Sequence, residues 1–584
     1  MIDSGINSHK NPKSNKNPRR IRQNDLRVIR WLLQLFTRKV LCAISVMIIV
    51  QLLLGVSGVC NALLLRSIVD NAISKNNRAF LIAAVGFAIL VLMQITGRAV
   101  CRYLKEYSRS TCENLLKEQE YRWLMEKSYE EVTATHTGEW MNRLTSDTVV
   151  VADGMAEILP GIAFTAAKLI SASITLIMLL PPILFIVLIA GGSFIFVSGY
   201  FRRVLKEMHK RIQEADGSLR VTMQEQLESM LVIKAFSQEE TAAAQVRQKM
   251  ARHRDARLRR SNVSNFFNIG YALLMRGAYV LGGLFCGYCI LTDRMTYGTF
   301  TAVLQLINQV QNPVANASSY LPRYYTMIAS AERLQEASQL SDSVQPAKIS
   351  QALQPMSPME FPFNEICLND ITFRYLERGN GSKDRGDVVL SHFSCRILRG
   401  DYIALIGPSG CGKSTVLKIL MCLYAQESGS RTIDGKPLET RCRGLFAYVP
   451  QGNQLMSGTI REVLTFGNRE QMQQDDQMWK ALKIACAESF VREELPDGLD
   501  TTLGEHGTGL SEGQIQRLAI ARAIFSGYPI LLLDEATSSL DAETEKKLLE
   551  NLRAMTDRTV LIVTHRPMAL QMTDRVLDLG KAVR

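Results

Sequence analysis

At 584 residues the chain exceeds what one hydrophobic core holds, so at least two domains are expected. Hydrophobic residues make up 47% and charged residues 21%, unevenly spread: apolar stretches crowd the chain up to Tyr320, and the remainder reads as a soluble α/β domain. The net charge of +12 sits largely in Lys10–Lys39, Arg102–Lys127, Arg202–Arg220 and Arg247–Arg260, beside apolar runs; that is the positive-inside pattern of a membrane protein and argues against a nucleic-acid partner.

Residues 1–24 are polar and basic, with no apolar core before Val40, so a disordered N-terminus without a cleavable signal peptide is expected. An amphipathic stretch with Trp31, Leu26–Phe36, is expected to lie along the membrane surface. A bilayer takes about 20 apolar residues in a helix. Val40–Leu65, Phe80–Val100, Ile158–Leu180, Ile183–Phe201, Phe266–Leu291 and the more polar Phe300–Tyr320 supply six such runs, with Pro181–Pro182 as a tight turn. The long connections carry the Lys/Arg clusters, which places both termini in the cytosol. These connections keep helical periodicity, so the helices should extend below the membrane. The 12 cysteines are scattered and suit reduced thiols; Cys286 and Cys289 read as packing residues within an apolar helix. The organisation expected is 1–24 tail, 25–336 six-helix membrane domain, 337–363 Pro-broken linker, and 364–584 α/β domain.

The second domain carries the chemistry. Gly407-Pro-Ser409-Gly410-Cys411-Gly412-Lys413-Ser414 follows a strand-like run and fits GxxxxGK[ST] in full. Backbone N–H groups of such a loop close around the β-phosphate, Lys413 reaches the β/γ-phosphates, and Ser414, followed by Thr415, offers a hydroxyl to Mg²⁺. Ile530–Leu533 reads as a buried strand ending in Asp534, which would hold the Mg²⁺ shell, and Glu535, which would polarise the attacking water. In Leu510-Ser511-Glu512-Gly513-Gln514 a helix begins at Ser511, and helix N-termini grip phosphate.

At this point the chain resembles the ATP-binding cassette family, whose signature reads LSGGQ; Glu512 replaces the first glycine of the pair and leaves Ser511 and Gly513 in place. The resemblance assigns Tyr375 to adenine stacking and Gln451 to the loop joining Mg²⁺ to the membrane domain. Glu505 falls in the loop before the signature, Asp541 in the dimer-contact loop, and His565 at the γ-phosphate sensor. His136–Arg143 with Asp147, and Ile233–Phe236 with Glu239, resemble the membrane half of exporters. The chain stops at Arg584, where most relatives continue, which is expected to reduce contacts beneath the nucleotide domains without removing an ATP-site residue. The resemblance implies ATP and Mg²⁺ as ligands, catalysis by Glu535, His565 and Gln451, and ATP sandwiched between Lys413 of one half-transporter and Ser511, Gly513 and Gln514 of a second, identical or not. It implies a multi-pass protein of the plasma or inner membrane, in contact with lipid. The loops expected to transmit motion are Ser146–Ala152 and Arg211–Gly217.

Cargo is the least determined. Lys168 and Arg276 are the basic residues placed well inside the spans; Arg98 falls at a cytosolic end, and no Asp or Glu lies in the six runs. The sixth run carries a polar stripe, Gln305, Asn308, Gln309, Asn312 and Asn316. Intramembrane charge is costly and usually functional, so Lys168, Arg276, Asn308 and Asn312 are the candidate path, favouring export of an amphipathic anionic lipid, peptide or metabolite. The alternatives are import of a metal–siderophore complex by the same architecture, an ATP-gated channel or regulator, and a soluble P-loop ATPase.

Overall fold

The computed structural model describes residues 18–180, 183–341, 363–379, 382–452, 455–582. Most of the expected linker and positions 1–17 lie outside them. Residues 18–24, expected in the disordered tail, are helical: α1 spans Pro18–Leu35, with Val28, Leu32 and Phe36 at i, i+4, i+8 buried along one face.

Nine further helices follow: α2 Arg38–Ile73, α3 Asn77–Glu126, α4 Tyr129–Thr133, α5 Thr137–Asn142, α6 Thr148–Leu179, α7 Ile183–Glu228, α8 Met230–Ala235, α9 Glu239–Leu291 and α10 Tyr297–Ser338. The six apolar runs fall in α2, α3, α6, α7, α9 and α10. Among the described residues, four helical stretches are long and apolar enough to cross a bilayer: α2, α3, Thr137–Leu179 and α9. The contacts divide the chain into two compact units, residues 1–118 with 145–334, and residues 119–144 with 335–584.

In the first unit, α1 packs on a cluster from α2 (Val40, Ile44), α3 (Cys112, Leu116), α6 (Val151–Ile158) and α10 (Met327–Leu334). A second cluster joins Val59 and Ala62 of α2, Ala172 and Leu176 of α6, Cys286 of α9 and Ala302–Val310 of α10. Cys286 is thus a packing residue, as its apolar setting predicts. Asp147, 2% exposed, accepts from Arg333 Nε at 2.7 Å and Ser330 Oγ at 2.9 Å, which explains an acid buried at the foot of α6.

Two expectations about the cytosolic connections are corrected. Ser146–Ala152 is not a loop: a π-helical turn, Arg143–Asp147, runs into α6, and Val151 and Ala152 are buried against the membrane unit. Arg211–Gly217 lies in the middle of α7, which runs unbroken for 46 residues. The chain reverses instead at α8, whose tip exposes Leu231 (82%) and, just beyond, Phe236 (73%). Helical periodicity through both clusters left no sequence signal for where the turn falls.

The second unit is built on strands β1 Glu365–Gly379, β2 Ser382–Leu398, β3 Tyr402–Ile406, β4 Ser428–Ile433, β5 Lys436–Pro437, β6 Phe446–Val449, β7 Gly458–Thr459, β8 Thr502–Leu503, β9 Ile530–Asp534, β10 Thr559–Val563 and β11 Arg575–Asp578. An antiparallel sheet runs β2-β1-β4-β5, and a parallel one β11-β3-β10-β9-β6. β9 and β10 are buried along their whole length, as their unbroken apolar runs require of central parallel strands. The site helices are α11 Lys413–Leu420, α12 Glu512–Phe525 and α13 Ala542–Arg553.

Candidate functional site

β3 delivers the chain to the loop Gly407–Ser414, at the C-terminal edge of the parallel sheet, where α/β folds bind ligands. The turn into α11 needs Gly412: its φ is +96°, and a Cβ there would approach Leu390 Cδ2 to 2.9 Å. Ser409 and Gly410 are exposed at the loop crest, and Cys411 is half-buried. Lys413, 7% exposed, donates to the carbonyls of Gly407 at 2.8 Å and Pro408 at 3.0 Å, so its ammonium sits inside the loop. The Ser414 hydroxyl meets Asp534. That carboxylate, sealed at the end of β9, also accepts from Tyr448 Oη at 3.1 Å. Burial raises the Asp534 carboxyl above its ordinary value, opposed by the Ser414 and Tyr448 hydrogen bonds.

Next along the chain, Glu535 has φ +51°, a left-handed conformation that costs a residue with a Cβ about 1–2 kcal/mol. The backbone holds it there through a hydrogen bond from its N–H to the Val563 carbonyl at 3.1 Å. Its carboxylate accepts from Gln451 Nε2 at 2.8 Å, so the glutamate and the glutamine loop are in direct contact. His565 is exposed just past the end of β10.

Tyr375 is half-exposed beside the loop, its hydroxyl 2.7 Å from Thr415 Oγ1 on α11. Its ring meets Phe373 edge-on at 5.1 Å and Tyr424 at 5.6 Å, and Tyr424 lies 5.9 Å from Tyr129 of α4. The segment 119–144 thus folds with the nucleotide domain, and an aromatic chain leads from it to Tyr375. Tyr424 and Tyr129 were not legible as site residues, because contacts between distant aromatics leave no local spacing.

The signature turn is a separate structure. Ser511 caps α12: its hydroxyl accepts from Gln514 N at 3.3 Å, while Gln514 Oε1 accepts from Ser511 N at 2.8 Å. Gln514 Nε2 donates to Glu494 Oε2 at 2.9 Å. Gly513 packs tightly on the dimer loop: a Cβ there would lie 3.1 Å from the Ser539 carbonyl, which would have to give by a few tenths of an ångström. Gln516, 1% exposed, donates to the hydroxyls of Ser538 and Ser539 and accepts from Ser539 N, tying the dimer loop to the signature helix. Asp541 uses its carboxylate to cap α13, accepting from Thr544 N at 2.9 Å, which lowers its pKa. Among the described residues no hydrogen bond joins the Ser511–Gln514 turn to Gly407–Thr415 of the same chain.

In the membrane unit Lys168 is half-buried on α6, its ammonium 5.8 Å from the Phe164 ring centre. Arg98 on α3 falls at the same level, since Gly97 meets Leu54 of α2 while Gly55 meets Lys168. Arg98, placed by sequence at a cytosolic end, lies one helical turn from Gln94 and belongs with Lys168. Arg276 is exposed on α9. Asn308 is exposed on α10, whereas Gln309 is buried against α2, so the polar stripe faces two directions. Asn312 falls outside the residues whose side chains are described.

Comparisons with known proteins agree with this architecture. Residues 44–314 match the ABC transporter transmembrane region, and 390–538 match the ABC transporter ATPase family. The chain is 28% identical to the ATP-dependent lipid A-core flippase of Haemophilus ducreyi over 96% of each protein. It is 26% identical to the transport/processing ATP-binding protein ComA of Streptococcus pneumoniae, over 92% of this chain and 74% of that one. Its fold matches a bacterial Atm1-family ABC exporter solved with ATP bound, with a TM-score of 0.73 at 22% identity, covering 93% and 95% of the two chains. With both regions fused in that order, the chain belongs to the ATP-binding cassette transporters: a multi-pass, ATP-hydrolysing half-transporter of the exporter type that dimerises with a second chain.

Proposed function

We propose that this half-transporter exports an anionic amphipathic molecule, a lipid, peptide or metabolite, from the cytosol by alternating access. The observation that carries the reading is two basic residues at one level of α2, Lys168 against Gly55 and Arg98 next to Gly97, which meets Leu54, in spans that contain no Asp or Glu. A positive charge in low dielectric needs water, a polar neighbour or an anion.

In this reading ATP binds at Gly407–Thr415 with Tyr375 against adenine, and Ser511, Gly513 and Gln514 of the partner chain complete the site. The cap bond leaves the Ser511 hydroxyl hydrogen free to donate to a phosphate. Ser414, Asp534 and Gln451 suit Mg²⁺, a hard cation that takes oxygen ligands; two of the three already touch each other. When bound, Mg²⁺ would neutralise charge on the phosphates. Glu535 orients and deprotonates the attacking water, held in place by Gln451 and the strained backbone. His565 senses the γ-phosphate, and Asp541 keeps the dimer loop in register. Closure of the two nucleotide domains is transmitted through Tyr129–Tyr424, which join segment 119–144 to the nucleotide domain. Both termini and the nucleotide domain, from about 364 onward, are cytosolic, and the membrane is the plasma or inner membrane. The partner is a second copy or a related half-transporter.

In proteoliposomes, Lys168→Ala should lower ATPase stimulation by anionic lipid at least tenfold, the cost of a lost charged contact worth about 1.5–3 kcal/mol. Strong stimulation by a lipophilic cation, unchanged by that substitution, would remove the anionic-cargo reading.

A further inference from the structure

Above the Lys168–Arg98 pair the membrane unit holds a layer of side-chain amides. Asn61 Nδ2 donates to Gln94 Oε1 at 3.1 Å, and Gln94 Nε2 donates to Ser57 Oγ at 2.9 Å. Ser57 Oγ in turn donates to the Leu54 carbonyl at 2.8 Å. From α10, Gln309 Nε2 donates to the Gly58 carbonyl at 2.8 Å. These bonds fix the orientation of the Asn61, Gln94 and Gln309 amides, since flipping Asn61 or Gln309 would set oxygen against oxygen.

The amide donors of Asn61, Gln94 and Gln309 are engaged, yet three acceptors of the layer are not. Asn61 Oδ1, Gln305 Oε1 and Gln309 Oε1 are sealed from solvent without a hydrogen-bond partner among the described residues. Gln309 as a whole is 8% exposed. The helix contacts set the three at neighbouring levels of α2 and α10. α10 runs antiparallel to α2, with Gly298 against Asp70 at one point and Gln309 against Gly58 further along, which sets Gln305 at the level of Asn61 and Ala62. Lys168 sits opposite Gly55, one turn (~5 Å) along α2 from the Gln309 contact at Gly58 and nearly two turns (~9–10 Å) from Asn61 and Gln305.

We infer that the carbonyl oxygens of Asn61, Gln305 and Gln309 form a second cargo subsite, which takes neutral hydrogen-bond donors, hydroxyl or amide N–H, carried beside the anion that Lys168 and Arg98 receive. Buried carbonyl oxygens in a membrane demand a donor. A metal ion or ammonium would also satisfy them, but two positive charges one to two turns away disfavour it and no carboxylate in the spans offsets them. A neutral donor has no such opposition. The inference rests on the anionic-cargo reading and adds to it: the head group carries donors next to its charge.

The test uses the full chain in nanodiscs and two lipids of equal charge. Phosphatidylglycerol bears hydroxyls beside its phosphodiester; phosphatidylethanol has none. Phosphatidylglycerol should reach half-maximal ATPase stimulation at roughly tenfold lower content, the worth of one or two hydrogen bonds. Gln309→Met and Gln305→Met should each shrink that difference and leave the phosphatidylethanol response in place. Gln305 makes no hydrogen bond between helices among the described residues, so its substitution serves if Gln309→Met misfolds. Equal responses to the two lipids, or a preference that survives both substitutions, overturns the inference. If both lipids act equally and Lys168→Ala abolishes both responses, the anionic-cargo reading stands alone. If neither lipid acts, both readings fall.

Discussion

The nucleotide unit and the membrane unit treat their polar groups in opposite ways. At the ATP site, Lys413, Asp534, Glu535, Ser511 and Asp541 all have partners within their own unit, and the loop, strand end and helix caps are built before any second chain is considered. In the membrane unit, polar groups of α2, α3 and α10 are hydrogen-bonded across the helices, and amide oxygens are left without donors among the described residues. A preorganised site performs one fixed reaction, whereas an unfinished one waits for its ligand to complete it. The difference separates the engine, common to a family, from the cargo path, particular to one member.

The largest expected effect breaks the engine alone. Glu535→Gln keeps the Gln451 contact geometry and removes the base, so turnover should fall about 10²–10⁴-fold while ATP stays bound. Phosphate release and bound nucleotide, measured on one sample, check this; loss of ATP binding would mean that Glu535 holds the fold rather than the water.

The next concerns how finished the membrane unit is where no cargo is expected. Arg333→Ala leaves Asp147 buried with Ser330 alone. The cost should be about 2 kcal/mol, below the roughly 3–5 kcal/mol for breaking a sealed pair, because Arg333 is itself partly exposed. Thermal unfolding in detergent, with Asp147→Asn in the same background recovering part of the loss, reads it. An unchanged midpoint would show that the pair is decorative.

The smallest effect sharpens the idea of preorganisation. Glu494 touches no nucleotide residue but orients the Gln514 amide that caps Ser511. Glu494→Ala should lower dimer ATPase about two- to fivefold through a higher KM, and Glu494→Gln should rescue it, since a single exposed hydrogen bond is worth about 0.5–1 kcal/mol. A drop in kcat with KM unchanged would place Glu494 outside the phosphate grip.

Much of the nucleotide site was legible because its chemistry is local: the loop Gly407–Ser414, the strand ending at Asp534 and the cap at Ser511 are each written within eight consecutive residues. What escaped is held by tertiary contact. Tyr424 and Tyr129 meet across hundreds of positions, and Gln516 looks like any polar helix residue. In the membrane unit hydropathy located the helices but not their faces. Arg98 was set aside by its position near the end of an apolar run, and only packing of Gln94 on Ser57 shows which way that face of α3 points. Asn308 and Gln309, adjacent in one polar stripe, necessarily part company around the helix. The reversal at α8 was hidden because helical periodicity continues through the charge clusters on both sides.

The central claim is that two chains complete each ATP site. In a Glu535→Gln background, which traps ATP, chains carrying Lys413→Ala and chains carrying Ser511→Ala should each occlude almost no nucleotide as pure dimers. Co-expressed and purified as the mixed dimer, they place one intact Lys413 opposite one intact Ser511, and should occlude a single ATP per dimer. Full occlusion by the pure Ser511→Ala dimer, or none by the mixed one, would contradict the shared site.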